Sequence, residues 1–243
     1  MYDADHTGPD ENSTVAGVVE VAIEQFSEHG FIEARLDTIA KISGMSKRMI
    51  HYHFGDKKGL YHRCLVEALQ RITPAGDELI LDSTIPVEGV SKLVDVVYLR
   101  MVNHPESIRL LVTESLHKVL NIGELANLNS QAEISLHLDR LLMLGQDAGA
   151  FRPGISAEDL FYLIGALAFY RVTNRDLMAN MLDLDPTSEA NTEGIHRLTV
   201  DAALSFLTAN IPDSGHDSYL KIDRAGDHEP QSALEIYDPE EFE

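Results

Sequence analysis

Between Lys47 and Lys57 the chain gathers three cations (Lys47, Arg48, Lys57), two imidazoles (His51, His53) and a phenol (Tyr52). Guanidinium, ammonium and imidazole groups hydrogen-bond phosphate oxygens and the donor–acceptor edges of bases, so this mixture suits a polyanion with readable edges. Arg48 is a candidate reader of guanine, the commonest bidentate partner of Arg, with a phosphate contact as the competing role. The break at Gly55-Asp56 would open a further helix, whose N-terminal amides and Lys57 could hold a phosphate. A metal is the poorer reading of the histidines. His51 and His53 are two apart on a helix and point to different faces, so one ion cannot easily take both.

These groups need a helix to present them and others to brace it. A first helix is predicted from Ser13 or Thr14, both good caps, with Val15, Val18, Val19, Ala22, Ile23 and Phe26 down one face and Gly30 at its end. A short second helix carries Leu36, Ile39, Ala40 and Ile42 and stops at Gly44. Ser46 then caps a third helix, anchored by Met49, Ile50 and Phe54. A fourth follows Asp56, with Leu60, Tyr61, Cys64, Leu65 and Ala68 facing inward. A support helix, a glycine turn and a capped second helix over Leu36–Tyr61 is the pattern of a helix-turn-helix, whose second helix enters the major groove.

The net charge of −21 opposes such a role until it is mapped. Residues 35–63 carry seven Lys or Arg against Asp37 and Asp56, a net +5, so the other segments hold −26. A basic island on an acidic protein favours one orientation of approach. At 243 residues and 44% hydrophobic content, one or two domains with a real core are expected. The acidic first residues, MYDADHTGPDEN, predict no secretory leader, and no apolar run predicts a membrane span. One cysteine, Cys64, leaves no internal disulfide and no multi-cysteine metal site. A cytoplasmic protein is expected.

The strings AIEQFSEHGF, LDTIAKISGMSK and IHYHFGDKKGLY resemble the tetracycline-repressor-like (TetR) family of regulators through residues 14–68. The resemblance implies that the third helix reads an operator. It also implies that two heads of a homodimer bind a palindrome and that a small molecule releases the DNA. It makes Lys47, Arg48, Met49, His51, Tyr52 and His53 the groove-facing residues and puts Arg35 and Lys57 on phosphates, with Thr38 and Ser46 in the same contact set. The chain departs from the family's pattern in three places. Acids (Asp3, Asp5, Asp10, Glu11) precede the first helix, Arg35 stands where Thr or Ser is common, and Arg48 stands where a small residue is common.

Beyond Pro74-Gly76, amphipathic stretches run at roughly 87–103, 106–120, 125–149, 157–181 and 190–210, with no convincing strand. The expected fold is all-α: an acidic disordered lead at 1–12, a head at 13–72, a helical ligand-binding and dimerisation body at 73–212, and an acidic disordered tail at 213–243. The tail carries ten acids against Lys221 and Arg224. Solvation is its ordinary role, and competition with DNA for the basic head is the alternative. MVNHPESIRLLVTESL and GAFRPGISAEDLFYLIGALAFYRVTN resemble the body variant of the repressor of pyrimidine utilisation. That likeness implies pairing of helices near 157–181 and 190–210 across the dimer, without carrying a ligand over.

Candidate ligand-binding residues are His104, Glu114, His117, Tyr170, Arg171 and Asn174. His104, Glu114 and His117, with His137 and Asp139, match no metal spacing and suit surface or capping roles equally. Arg171 could clamp a ligand anion or, the favoured alternative, pair with an acid across the dimer. No catalytic residue, cofactor or metal is predicted, because no repeated Glu-x-x-His pair, phosphate loop or nucleophile motif is present. The remaining alternative is a protein-interaction adaptor whose head no longer reads DNA.

Overall fold

The computed structural model describes residues 11–75, 78, 85–120, 128–212 and 215–220. Ten helices and no strand occur among them: α1 (Glu11–Glu33), α2 (Leu36–Ser43), α3 (Lys47–Phe54), α4 (Lys57–Ile72), α5 (Pro86–Asn103), α6 (Pro105–His117), α7 (Leu128–Asp147), α8 (Ala157–Thr173), α9 (Arg175–Leu182) and α10 (Glu189–Thr208).

The head is built as its periodicity dictates. Val18, Val19, Ala22, Ile23 and Phe26 of α1 are buried against Leu60, Tyr61, Cys64, Leu65 and Ala68 of α4, and Ile39 and Ile50 close the core from α2 and α3. Phe26 meets Tyr61 edge-on at 4.9 Å between ring centroids, a favoured aromatic geometry. α1 begins at Glu11, two residues before the predicted cap and inside the expected lead, within the range over which helix ends vary. Gly30 breaks α1 at φ 70, ψ 173, a region essentially reserved for glycine, and one further turn follows before α2.

The body packs α5 against α7, α8 and α10. Leu93, Val94, Val97 and Tyr98 of α5 meet Leu138 and Leu142 of α7, Leu160 and Ile164 of α8, and Ala203 and Leu207 of α10 in one core. Head and body join where α1 and α4 both pack on α6. There Arg71 of α4 hydrogen-bonds Glu20 of α1 at 3.2 Å and lies 3.7 Å from Glu106 of α6.

Three expectations about the body need correcting. The 157–181 stretch is two helices, because Asn174 leaves helical geometry at φ −116, ψ 20 and starts α9. The 106–120 stretch ends at His117, where Lys118 is left-handed at φ 52. The described part of the tail, 215–220, is held on the body. Asp159 Oδ2 accepts from the Tyr219 amide at 3.0 Å and Oδ1 from the Leu220 amide at 2.7 Å, so 215–220 dock on the start of α8. Arg152 adds a hydrogen bond to the Tyr219 hydroxyl at 3.2 Å and lies over the Phe206 ring. Most of the acidic lead, the start of the 125–149 stretch and the tail from 221 lie outside the described residues.

Candidate nucleic-acid interface

The recognition unit rests on three local devices. Gly44 caps α2 at φ 75, ψ −1, the left-handed conformation glycine adopts without strain. Ser46 Oγ accepts from the Met49 amide at 3.3 Å and starts α3. Asp56 Oδ1 accepts from the Gly59 amide at 2.8 Å and starts α4. Between Gly44 and Ser46, Met45 is buried and pins the turn to the core. An isolated Met in a turn has no periodic partner, so its spacing does not mark it as an anchor. Met49, an anchor of α3 by its spacing, is 36% exposed, leaving Ile50 buried and Phe54 half-buried as the inner face.

The outward face of α3 follows from that inner one. Arg48 and Tyr52, four residues apart, project opposite Ile50, and Tyr52 is 79% exposed. The Arg48 guanidinium makes no hydrogen bond or ion pair among the described residues. Lys47 is exposed but paired with Asp37 at 2.6 Å. His51 Nδ1 lies 2.8 Å from the Gly55 carbonyl oxygen, so its ring is spent on the end of its own helix. His53 is half-buried and touches the Tyr52 and Phe54 rings. Arg35 occupies the cap position of α2 without a side-chain cap bond and stays exposed, with Thr38 half-buried one turn on.

Lys57 is not a free cation on the surface. Its Nζ donates to the Ile32 carbonyl at 3.1 Å and sits 4.8 Å from the Phe31 ring centroid, tying the start of α4 to the last turn of α1. Partial desolvation holds its pKa below the usual lysine value.

The six candidate ligand residues are not brought together. His104 lies between α5 and α6, with Nδ1 3.5 Å from Glu106. Glu114 is fully buried on α6, accepting from the Leu120 amide at 2.6 Å through Oε1, while Oε2 has no hydrogen-bond partner among the described residues. His117 bonds the Thr113 carbonyl at 2.9 Å and lines a cleft of about 520 Å³ between α6 and the end of α1. The Tyr170 hydroxyl lies 3.9 Å from Met178 Sδ. Arg171 is buried, donating to the Pro186 carbonyl at 2.9 Å and to Thr192 Oγ1 at 2.6 Å; it clamps the turn before α10. Asn174 Nδ2 donates to Thr173. None of the six is among the described residues that line an apolar, open-mouthed cavity of about 440 Å³ between α4, α5, α6 and α8. Among the described residues no group of three or more His, Cys, Asp or Glu could hold a metal ion, and no helix is long and apolar enough to cross a membrane.

Comparison with known proteins matches this architecture in both halves. Residues 18–64 match the family described as bacterial regulatory proteins, tetR family, and residues 86–203 match the tetracyclin repressor-like C-terminal domain. The transcriptional repressor NicS of Pseudomonas putida is 28% identical over 169 residues, covering 69% of this chain and 80% of that protein. The transcriptional repressor SCO4008 of Streptomyces coelicolor is 28% identical over 166 residues, 67% of this chain and 80% of that one. The fold is shared with the MbdR regulator of Azoarcus sp. CIB, at 19% identity and a TM-score of 0.61 over 80% of this chain and 98% of that one. With both its head and its body matched, the chain belongs to the tetR family of bacterial transcriptional regulators.

Proposed function

We propose that the protein is a homodimeric repressor whose two heads bind a palindromic operator and which a small molecule releases. The observation that carries this reading is the outer face of α3, where Arg48 and Tyr52 stand exposed beside Met49 on a helix anchored by the buried Ile50, in a basic island of an acidic chain. In this reading Arg48, Met49 and Tyr52 meet base edges. Lys47, His51 and His53 flank them, and Arg35, Thr38, Ser46 and Lys57 lie toward phosphates. Residues 13–72 act as the head and 73–212 as the body.

Dimerisation through α8, α9 and α10 is supported by apolar surface left open on all three: Tyr170, Leu177, Met181, Leu182 and Leu198 are each about half exposed or more. Release is a shift of population. An effector that binds the conformer with misaligned heads more tightly moves the balance, and a swing from 1:99 to 99:1 needs roughly 5.5 kcal/mol of differential affinity. The cytoplasm is where such a protein would work.

A second reading is favoured by one observation: Lys47 and Lys57 already have partners within the head, which lowers the number of free cations. A protein-interaction adaptor would need none. Titration of a labelled random-sequence duplex separates the two. Affinity at low salt that falls steeply as salt is added supports the DNA-binding head, and no affinity at any salt supports the adaptor.

A further inference from the structure

We infer that Asp37 is a brake on the proposed DNA-binding head. Its carboxylate holds the Lys47 ammonium, so Lys47 adds no phosphate contact and the sequence-independent share of DNA affinity is set low. The inference rests on the DNA-binding reading and deepens it by naming a residue that limits it. Asp37 and Asp56 are the two acids of the basic island at 35–63. Asp56 has a structural task, since its Oδ1 caps α4 through the Gly59 amide. Asp37 does not cap α2: Arg35 occupies that position, and the Asp37 carboxylate makes no backbone hydrogen bond among the described residues. Its place in the first turn suits the positive end of α2, a role with no bearing on salt dependence. The carboxylate reaches across the turn of the helix-turn-helix, where Oδ1 lies 2.6 Å from Lys47 Nζ.

The choice of partner is informative. Lys41 follows Asp37 by four residues on α2, the spacing at which opposite charges meet on one helix. Yet Lys41 makes no ion pair among the described residues, and it stands in the last turn, where a cation complements the helix carbonyls. Lys47 opens α3, where the positive end of the helix disfavours a cation, and the carboxylate alongside offsets that. The Asp37 and Lys47 side chains are 75% and 47% exposed, and an exposed pair contributes little to stability. Its consequence falls on whatever approaches this surface. A phosphate that takes Lys47 must displace an anion already in place, so one negative oxygen replaces another. The freed carboxylate is then left beside the charge of the DNA itself. Arg35 and Arg48 have no such counter-ion among the described residues, so they stay available to DNA where Lys47 does not.

Salt titrations of a labelled random-sequence duplex against the full chain test the assignment. Electrostatic contacts supply essentially all of such binding, and each phosphate contact adds about 0.9 to the slope of log affinity against log salt. Asp37→Asn removes the charge at nearly constant shape and frees Lys47. It is expected to steepen the slope by about one and to tighten binding about fivefold at low salt. Lys47→Ala in the native background is expected to leave the slope unchanged. Asp37→Asn added to Lys47→Ala is expected to leave it unchanged too, which separates the pair from a general loss of negative charge. Asp37→Ser gives the same readout if Asp37→Asn fails to fold, with circular dichroism as the check. An unchanged slope in a folded Asp37→Asn or Asp37→Ser chain overturns the inference and leaves the DNA-binding reading standing. A slope that falls by about one in Lys47→Ala also overturns it, because Lys47 then already holds a phosphate. So does a rise on Asp37→Asn that persists without Lys47. Absence of binding by both the native and the Asp37→Asn chains at every salt contradicts the DNA-binding reading itself, and the inference with it.

Discussion

Arg48 and Tyr52 stand one helical turn apart on the face of α3 opposite the buried Ile50, so the core contact that fixes the helix also aims this pair outward. The guanidinium at the N-terminal end of the helix has no hydrogen-bond or ion-pair partner among the described residues, and the phenol behind it touches only the His53 ring in the contacts of α3. Lys47, His51 and His53 each have an ion-pair, hydrogen-bond or ring partner in the head.

Truncating Arg48 to Ala should therefore relax the preference at one base pair of each half-site. The expected loss is about 1–3 kcal/mol for the preferred base and little for the others. Competitive binding to a set of single-base operator variants measures it. Equal loss on every variant would make Arg48 a phosphate contact.

Lys57→Ala should act differently. It should weaken binding to all sequences alike and lower the slope of log affinity against log salt by about one. Because the ammonium also holds the Ile32 carbonyl, the melting temperature should fall as well, which a purely surface phosphate contact would not produce. Salt titrations and thermal melts of the same variant read both effects.

The head's core titrates in the alkaline range. Burial, with the Glu114 carboxylate nearby, raises the Tyr61 pKa well above the ordinary tyrosine value, and burial does the same for the Cys64 thiol. A raised folded-state pKa means the unfolded chain loses its proton first. Stability is thus intact below the unfolded values, about 8.5 for Cys and about 10 for Tyr, and falls as pH rises beyond them. Denaturant midpoints between pH 7 and 11 should be level and then drop, with a shallower drop in Tyr61→Phe. An equal drop in that variant would contradict the role given to Tyr61.

Asp159 serves two structures at once. It completes a capping box with Ser156 at the start of α8 and accepts the Tyr219 and Leu220 amides. Asp159→Ala should cost about 1 kcal/mol through the cap alone. It should also release 215–220, read as faster amide hydrogen exchange at Tyr219 and Leu220. Unchanged exchange there would show that the Arg152 contacts suffice.

The head was legible in the sequence because its helices are short, capped and punctuated: Gly44, Ser46 and Asp56 stand where backbone geometry demands those residue types, and the apolar spacing picks out Ile39, Ile50 and Leu60. The body was legible as helices but not as a site. Arg171 finds its partners at Pro186 and Thr192, 15 and 21 residues away, a meeting that no local spacing encodes. The cavity escaped for a related reason. Phe161, Phe169, Met101 and Leu111 line it from three helices, and only the packing of those helices leaves space between them. The six polar candidates are all placed elsewhere.

The most direct test of the central claim is selection of bound duplexes from a random library by the purified full-length protein at moderate salt. Enrichment of a palindrome with half-sites about one helical turn or more apart, and loss of one conserved base in each half-site with Arg48→Ala, is the predicted result. Recovery of no enriched sequence by a folded, dimeric protein would contradict it.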